Sequence, residues 1–177
     1  MAEAEASATA VWQVDSVHTT VEFAVRHMMI STVRGQFNKV RGQLQGSLDD
    51  LPHAYIEGEV EAASVDTRQD DRDAHLRSAD FFDAEQYPLL TFHSTRIEPK
   101  GSDTYQCEGE LTIRAVTRPV KLELTLEGQI RDPYGNDRAG LTLEGRINRR
   151  DWGLNWNAAL EAGGVMVSDE VRLTVHT

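Results

Sequence analysis

A chain of 177 residues suits one domain, long enough to bury a core or to wrap a cavity. Its 40% hydrophobic and 27% charged residues exclude wholesale disorder. A formal net charge of -11, from 18 basic against 29 acidic residues, argues against nucleic acid and against docking on an anionic membrane through a basic patch.

The N-terminal "MAEAEASATA" has neither a basic nor an apolar stretch of a secretory signal. It reads as a disordered extension over residues 1–10 before a single domain over 11–177, and it points to a cytoplasmic protein. No run approaches the roughly 18 apolar residues of a membrane span, so no stable membrane insertion is expected. The lone Cys107 allows no internal disulfide, and no Cys/His zinc pattern is present.

Strand signals begin with "VWQV" and "TVEFAVRH", where Val21, Phe23 and Val25 share a face. "GQFNKVRGQLQG" and "AYIEGEVEAAS" follow, separated by the turn-rich "LDDLPH". "LLTFHSTRI" and "TYQCEGELTI" flank the turn "PKGSD", and Tyr105, Cys107, Leu111 and Ile113 share a face. "VKLELTLEGQI" places Val120, Leu122, Leu124, Leu126 and Ile130 on one side and Lys121, Glu123 and Glu127 on the other. That is period-two alternation over a strand about 35 Å long. "DPYGND" turns the chain into "AGLTLEGRI", with Leu141, Leu143 and Ile147 aligned, and "DEVRLTVHT" aligns Val171, Leu173 and Val175. Long antiparallel strands that are apolar on one side only must cover those sides. With helices scarce, the pattern predicts an all-β, up-and-down antiparallel barrel of about eight strands. On "LLTFHSTRI" the inward face is open: Leu90 and Phe92 share a face with Ser94 and Arg96, whereas His93 goes with Leu89 and Ile97.

Residues 66–88 interrupt the strands. Asp66 or Thr67 is positioned to cap a short helix, Asp73 and Arg77 form an i,i+4 pair, and Tyr87-Pro88 would stop it. Arg72, His75, Leu76 and Ala79 fall on one side. Leu76, with Phe81 or Phe82, is placed to plug one end of the barrel. Arg72 and His75 either hold a polar ligand group or belong to a solvated surface, since 66–85 carries seven acids and three arginines.

"HLRSADFFDAEQYPLLTF" followed by "GELTIRAVTRPVKLEL" resembles the YceI-like family of lipocalin-like, polyisoprenoid-binding proteins. "WQVDSVHTTVEFAVRHM" with "RGQFNKVRGQL", and the late "NRRDWGLNW", match the same family in the same order. The resemblance implies an extended barrel holding a long isoprenoid or similar lipid in its lumen, with no cofactor. Two departures stand out: a missing signal segment, and Ala115 where the family commonly has glycine in "LTIRGVT". The second falls at the kink between two strands.

The inward positions expected to line an apolar lumen are Phe23, Val25, Phe37, Phe92, Leu111 and Ile113, then Leu122, Leu124, Leu126, Leu141, Leu143 and Leu173. Arg26, His27, Arg72, His75, Leu76 and Phe82 are the candidates for the mouth or lid. The six histidines (His18, His27, His53, His75, His93, His176) show no HxH or HExxH spacing, and neither a GxSxG elbow nor a P-loop occurs. Hydrogen-bonded structural histidines, no metal and no enzymatic activity are therefore expected. A barrel filled solid that acts as a protein-interaction module, or a lumen-based hydrolase or isomerase using His75 or His27 as base, are the alternatives. A homodimer is compatible with the pattern, and no residue demands it.

Overall fold

The computed structural model describes residues 10–158 and 166–177; the expected N-terminal extension, except Ala10, lies outside them. Eleven strands form one sheet in which every neighbouring pair is antiparallel. They are β1 (Val11–Gln13), β2 (Thr20–His27), β3 (Ser31–Phe37), β4 (Val40–Gln45), β5 (Tyr55–Glu61), β6 (Val65–Asp66), β7 (Leu89–Pro99), β8 (Thr104–Ile113), β9 (Val116–Arg131), β10 (Asp137–Asn148) and β11 (Val167–His176). The spatial order is β1-β4-β5-β7-β8-β9-β10-β11-β2-β3-β6.

That order explains the curl. β3 and β4 are joined only by residues 38–39, yet stand near opposite ends of the hydrogen-bonded sequence of strands. The sheet must bend around until its ends meet. A tight 3₁₀ turn, Ala62–Ser64, completes the corner by carrying the chain from β5 into β6, which pairs with β3. The Asn38 N–H donates to the Ser64 carbonyl at 3.1 Å, and the Glu61 N–H donates to that of Lys39, also at 3.1 Å. The result is the lipocalin-like, curled antiparallel architecture expected, with eleven strands rather than about eight. The surplus has a local cause. "STVRGQFNKVRGQLQG" breaks at Asn38 into two strands, and the corner at 62–64 cuts β6 away from β5.

Alternation sets the interior. On β9, Val120, Leu122 and Leu124 are buried while Lys121 and Glu123 face water. The pattern fails at Ile130, which is exposed. The pairing of β9 with β10 shifts register between Gly140 and Leu141, leaving Glu127 without an opposite residue. Such a bulge reverses which side chains face inward. A second bulge, at Thr95 on β7, settles the open face of that strand. Leu90, Phe92 and Ser94 face inward before it, and Ile97 is buried after it. Each of the two alternative faces is therefore right for half of the strand.

The helix α1 (Asp70–Arg77) is shorter than the interruption. Neither Asp66 nor Thr67 caps it; Gln69 occupies the cap position without a side-chain bond. Thr67 instead donates from its N–H and its hydroxyl to the buried Asp73 carboxylate, at 2.8 and 2.5 Å. Asp73 is thereby turned away from Arg77, and the expected ion pair does not form. The helix ends at Ser78, ten residues before Pro88, and residues 78–88 run on in turns.

Candidate functional site

The curled sheet encloses a cavity of about 850 Å³, within the usual range of small-ligand pockets. Ten of the twelve positions expected in the lumen line it: Phe23, Val25, Phe37, Phe92, Leu111, Ile113, Leu122, Leu141, Leu143 and Leu173. So do His27, Arg72, His75, Leu76 and Phe82 of the six expected at the mouth. Leu124, Leu126 and Arg26 do not. Leu124 is fully buried among Leu122, Leu143 and Cys107, in the packed part of the core. Leu126 packs against the same cluster, just before the bulge. Arg26 sits on the outward face of β2 and donates to the Met29 carbonyl at 3.0 Å. The alternation that points Val25 inward points its neighbour outward.

Glycines make room for the aromatic side chains inside. A Cβ on Gly109 would lie 2.5 Å from the Phe92 ring, and one on Gly35 would overlap the ring of Phe23. The missing side chains let those rings lie flat across the neighbouring strand. Phe23 and Phe37 have ring centres 5.7 Å apart, and Phe37 and Phe82 5.5 Å, so the wall aromatics continue into the segment after α1.

On α1 the His75 ring meets Trp156 edge-on at 4.6 Å and Phe81 at 5.1 Å. Its Nε2 lies 2.8 Å from the Asp80 carboxylate. Arg72, which lines the cavity, donates from Nε to the Thr67 hydroxyl at 2.7 Å and from Nη2 to the Thr67 carbonyl at 2.8 Å. Sequence reasoning missed Trp156 and Arg149 here, although both sit inside "NRRDWGLNW". Arg149 is buried and donates to the carbonyls of Leu154, Ser168 and Val167 at 2.5, 3.0 and 3.3 Å. Burial pulls its pKa down, but a guanidinium stays charged. It ties the turn after β10 to the start of β11.

The other end of β10 carries an ionic clasp. Arg138 donates to Asp15 at 2.8 Å and to Asp132 at 2.7 Å, and Asp15 also lies 2.7 Å from His18. The bond with His18 and then that with Arg138 hold Asp15 down to about 2; Arg138 and the Asn136 N–H do the same for Asp132. The clasp joins the turn before β2 to the β9–β10 hairpin.

Among the described residues, the remaining titratable groups show no reactive arrangement. Burial pushes the Cys107 thiol up to about 12, so it is not a nucleophile near neutral pH. His53 and His93 lie beside Asp50 and Glu110, at 2.9 and 3.2 Å, and His176 lies 3.2 Å from the Thr142 hydroxyl. Among the described residues no helix is long and apolar enough to cross a membrane.

Residues 12–177 match the YceI-like domain. A UPF0312 protein of Staphylococcus epidermidis is 36% identical over 159 residues, covering 89% of this chain and 90% of its own. The Campylobacter jejuni YceI protein, at 27% identity, superposes with a TM-score of 0.75 over 94% of this chain and 95% of its own. A polyisoprenoid binding domain from Saccharophagus degradans shares the fold at 14% identity, with a TM-score of 0.68 over 95% of this chain and 96% of its own. Fold and sequence agree: the chain belongs to the YceI-like domain family.

Proposed function

We propose that the protein binds a long apolar lipid of polyisoprenoid type in its lumen, shielding or carrying it, and is not an enzyme. The observation that carries this reading is the cavity of about 850 Å³ walled by Val, Leu, Ile and Phe side chains from ten of the eleven strands. A few hundred Å² of lipid surface removed from water, at roughly 25 cal/mol per Å², contributes several kcal/mol before the chain's ordering entropy is subtracted. The polyisoprenoid binding domain of Saccharophagus degradans, with the same fold, supports the isoprenoid class. Arg72 and His75 are the polar groups that meet the ligand's head beneath the lid. The cavity disfavours a solidly filled interaction module. A lumen-based hydrolase lacks support in a site whose His75 is packed between two aromatic rings, while the one thiol lies in the packed core and is held protonated.

Native mass spectrometry of protein purified from its own host, followed by solvent extraction, tests this. A stoichiometric long-chain lipid is expected. Empty protein that also fails to take up added isoprenoids would overturn the reading. Activity on an ester or isoprenoid that disappears in His75→Ala would replace it with the enzymatic one.

A further inference from the structure

The hairpin between β2 and β3 turns on Met28 and Met29, both with left-handed backbone at φ 53° and 62°. The Ile30 N–H points back to the His27 carbonyl at 3.4 Å, closing the turn. Two consecutive left-handed residues make a type I′ turn, which favours Asn-Gly because those residues tolerate positive φ. Methionine does not, and strain of this kind needs a reason outside the turn. These side chains do not pack inward either. Met28, Met29 and Ile30 are 42%, 55% and 83% exposed, and follow one another in the chain. The tip is both strained and apolar.

Its own stretch of chain is unusual for this protein. Residues 23–48 contain no Asp or Glu, in a protein with 29 of them. Within that stretch Arg26 and Arg34 stand on the outer face of the same hairpin, exposed and without a carboxylate partner among the described residues. The acids across from Arg26 on β11, Asp169 and Glu170, are already paired with Arg150 and Arg146. The net charge of -11 is an average that hides this acid-free stretch. The tip also continues into the site: His27, Val25 and Val33, at its base, line the cavity.

We infer that the Met28-Met29-Ile30 tip docks on a phospholipid surface, with its apolar side chains among the headgroups and acyl boundary. Arg26 and Arg34 there meet lipid phosphates. The exposed methionines supply adaptable apolar contact, and the arginines supply charge complementarity that a bare apolar patch lacks. The docking places the hairpin-side end of the cavity against the bilayer, where a lipid ligand passes without crossing water. This purpose rests on the lipid-binding reading; the docking is measured without it.

The test is flotation with vesicles of phosphatidylcholine mixed with phosphatidylglycerol, comparing the native chain with Met28→Asn/Met29→Gly and with Arg34→Gln. The double variant installs the residues that the turn prefers, so it folds at least as well as the native chain while losing the apolar tip. We expect vesicle binding to weaken at least tenfold in the double variant and severalfold in Arg34→Gln. Uptake of a fluorescent isoprenoid from solution should be unchanged in both. Native protein that does not float with vesicles, or a double variant that floats as well as native, would overturn the docking. Failure of native protein to take up the isoprenoid, with flotation intact, would instead remove the lipid-binding reading and leave the docking standing.

Discussion

Arg138 on β10 and Asp15 before β2, 123 positions apart in sequence, are joined by a 2.8 Å ion pair that Asp132 shares from the other side. The clasp has a pH signature. Both carboxyls are held at about 2, against an ordinary 3.8. A lowered folded-state pKa gives stability that is fully present above about 3.8 and lost as pH falls through 2. Urea midpoints of the native protein should therefore drop between those values. Arg138→Gln should start lower at neutral pH and drop less across the same window. A variant with the native acid slope would show that the carboxylates owe their low pKa to other groups.

Leu124 and Val25 separate core from lumen. Leu124→Ala removes a fully buried side chain and should cost about 2–5 kcal/mol, while the folded protein keeps its affinity for a lipid probe. Val25→Trp projects into open cavity and should leave the melting temperature nearly unchanged while reducing uptake at least tenfold. Calorimetry paired with fluorescence titration checks both. Equal loss of uptake in the two variants would contradict the division.

Ala115 is the departure from the family's glycine, and its φ of 59°, beside 51° at Arg114, gives the physical reason for that preference. The two residues form the tight β8–β9 turn between Ile113 and Val116. Ala115→Gly should raise stability by about 0.5–1 kcal/mol, the relief of left-handed strain less glycine's greater unfolded-state entropy. Denaturant unfolding measures it directly. A loss of stability would mean the turn gains more from the methyl group than it loses to strain.

The His75 ring packs α1 against Trp156, and against Phe81 just beyond the helix. Aromatic contacts of this geometry contribute about 0.5–1.5 kcal/mol. His75→Ala should therefore speed probe release severalfold, measured by stopped-flow, with association nearly unchanged. Unaltered release would place the exit elsewhere on the barrel.

Strands with one face in water were legible, because each inward residue is followed by an outward one. Val120 to Leu124 is the clearest run, and it led to most of the cavity wall. Legibility stopped where one residue was inserted. The bulges at Thr95 and Glu127 reverse inside and outside, and no residue type announces them. Hence the alternation leaves β7 ambiguous and points Ile130 inward, although it is exposed. The lid was visible as an interruption, but its anchoring was not. Asp73 has two chemically reasonable partners, Arg77 and Thr67, and only the fold brings Thr67 to it. Trp156 and Arg149 stood within a recognised motif, whose residues gain roles only when β11 and the lid are in place.

β11 lies between β10 and β2, with Thr174 opposite both Glu144 and Glu22. The N-terminal hairpin therefore has no partner on that side until residues 167–176 have been made. Contacts so distant in sequence make folding slow, and during synthesis the apolar faces of β2 and β10 stay open to whatever is nearby. The lumen is finished last. A lipid present at that moment would be enclosed as the final strand docks, with no need to enter through a mouth.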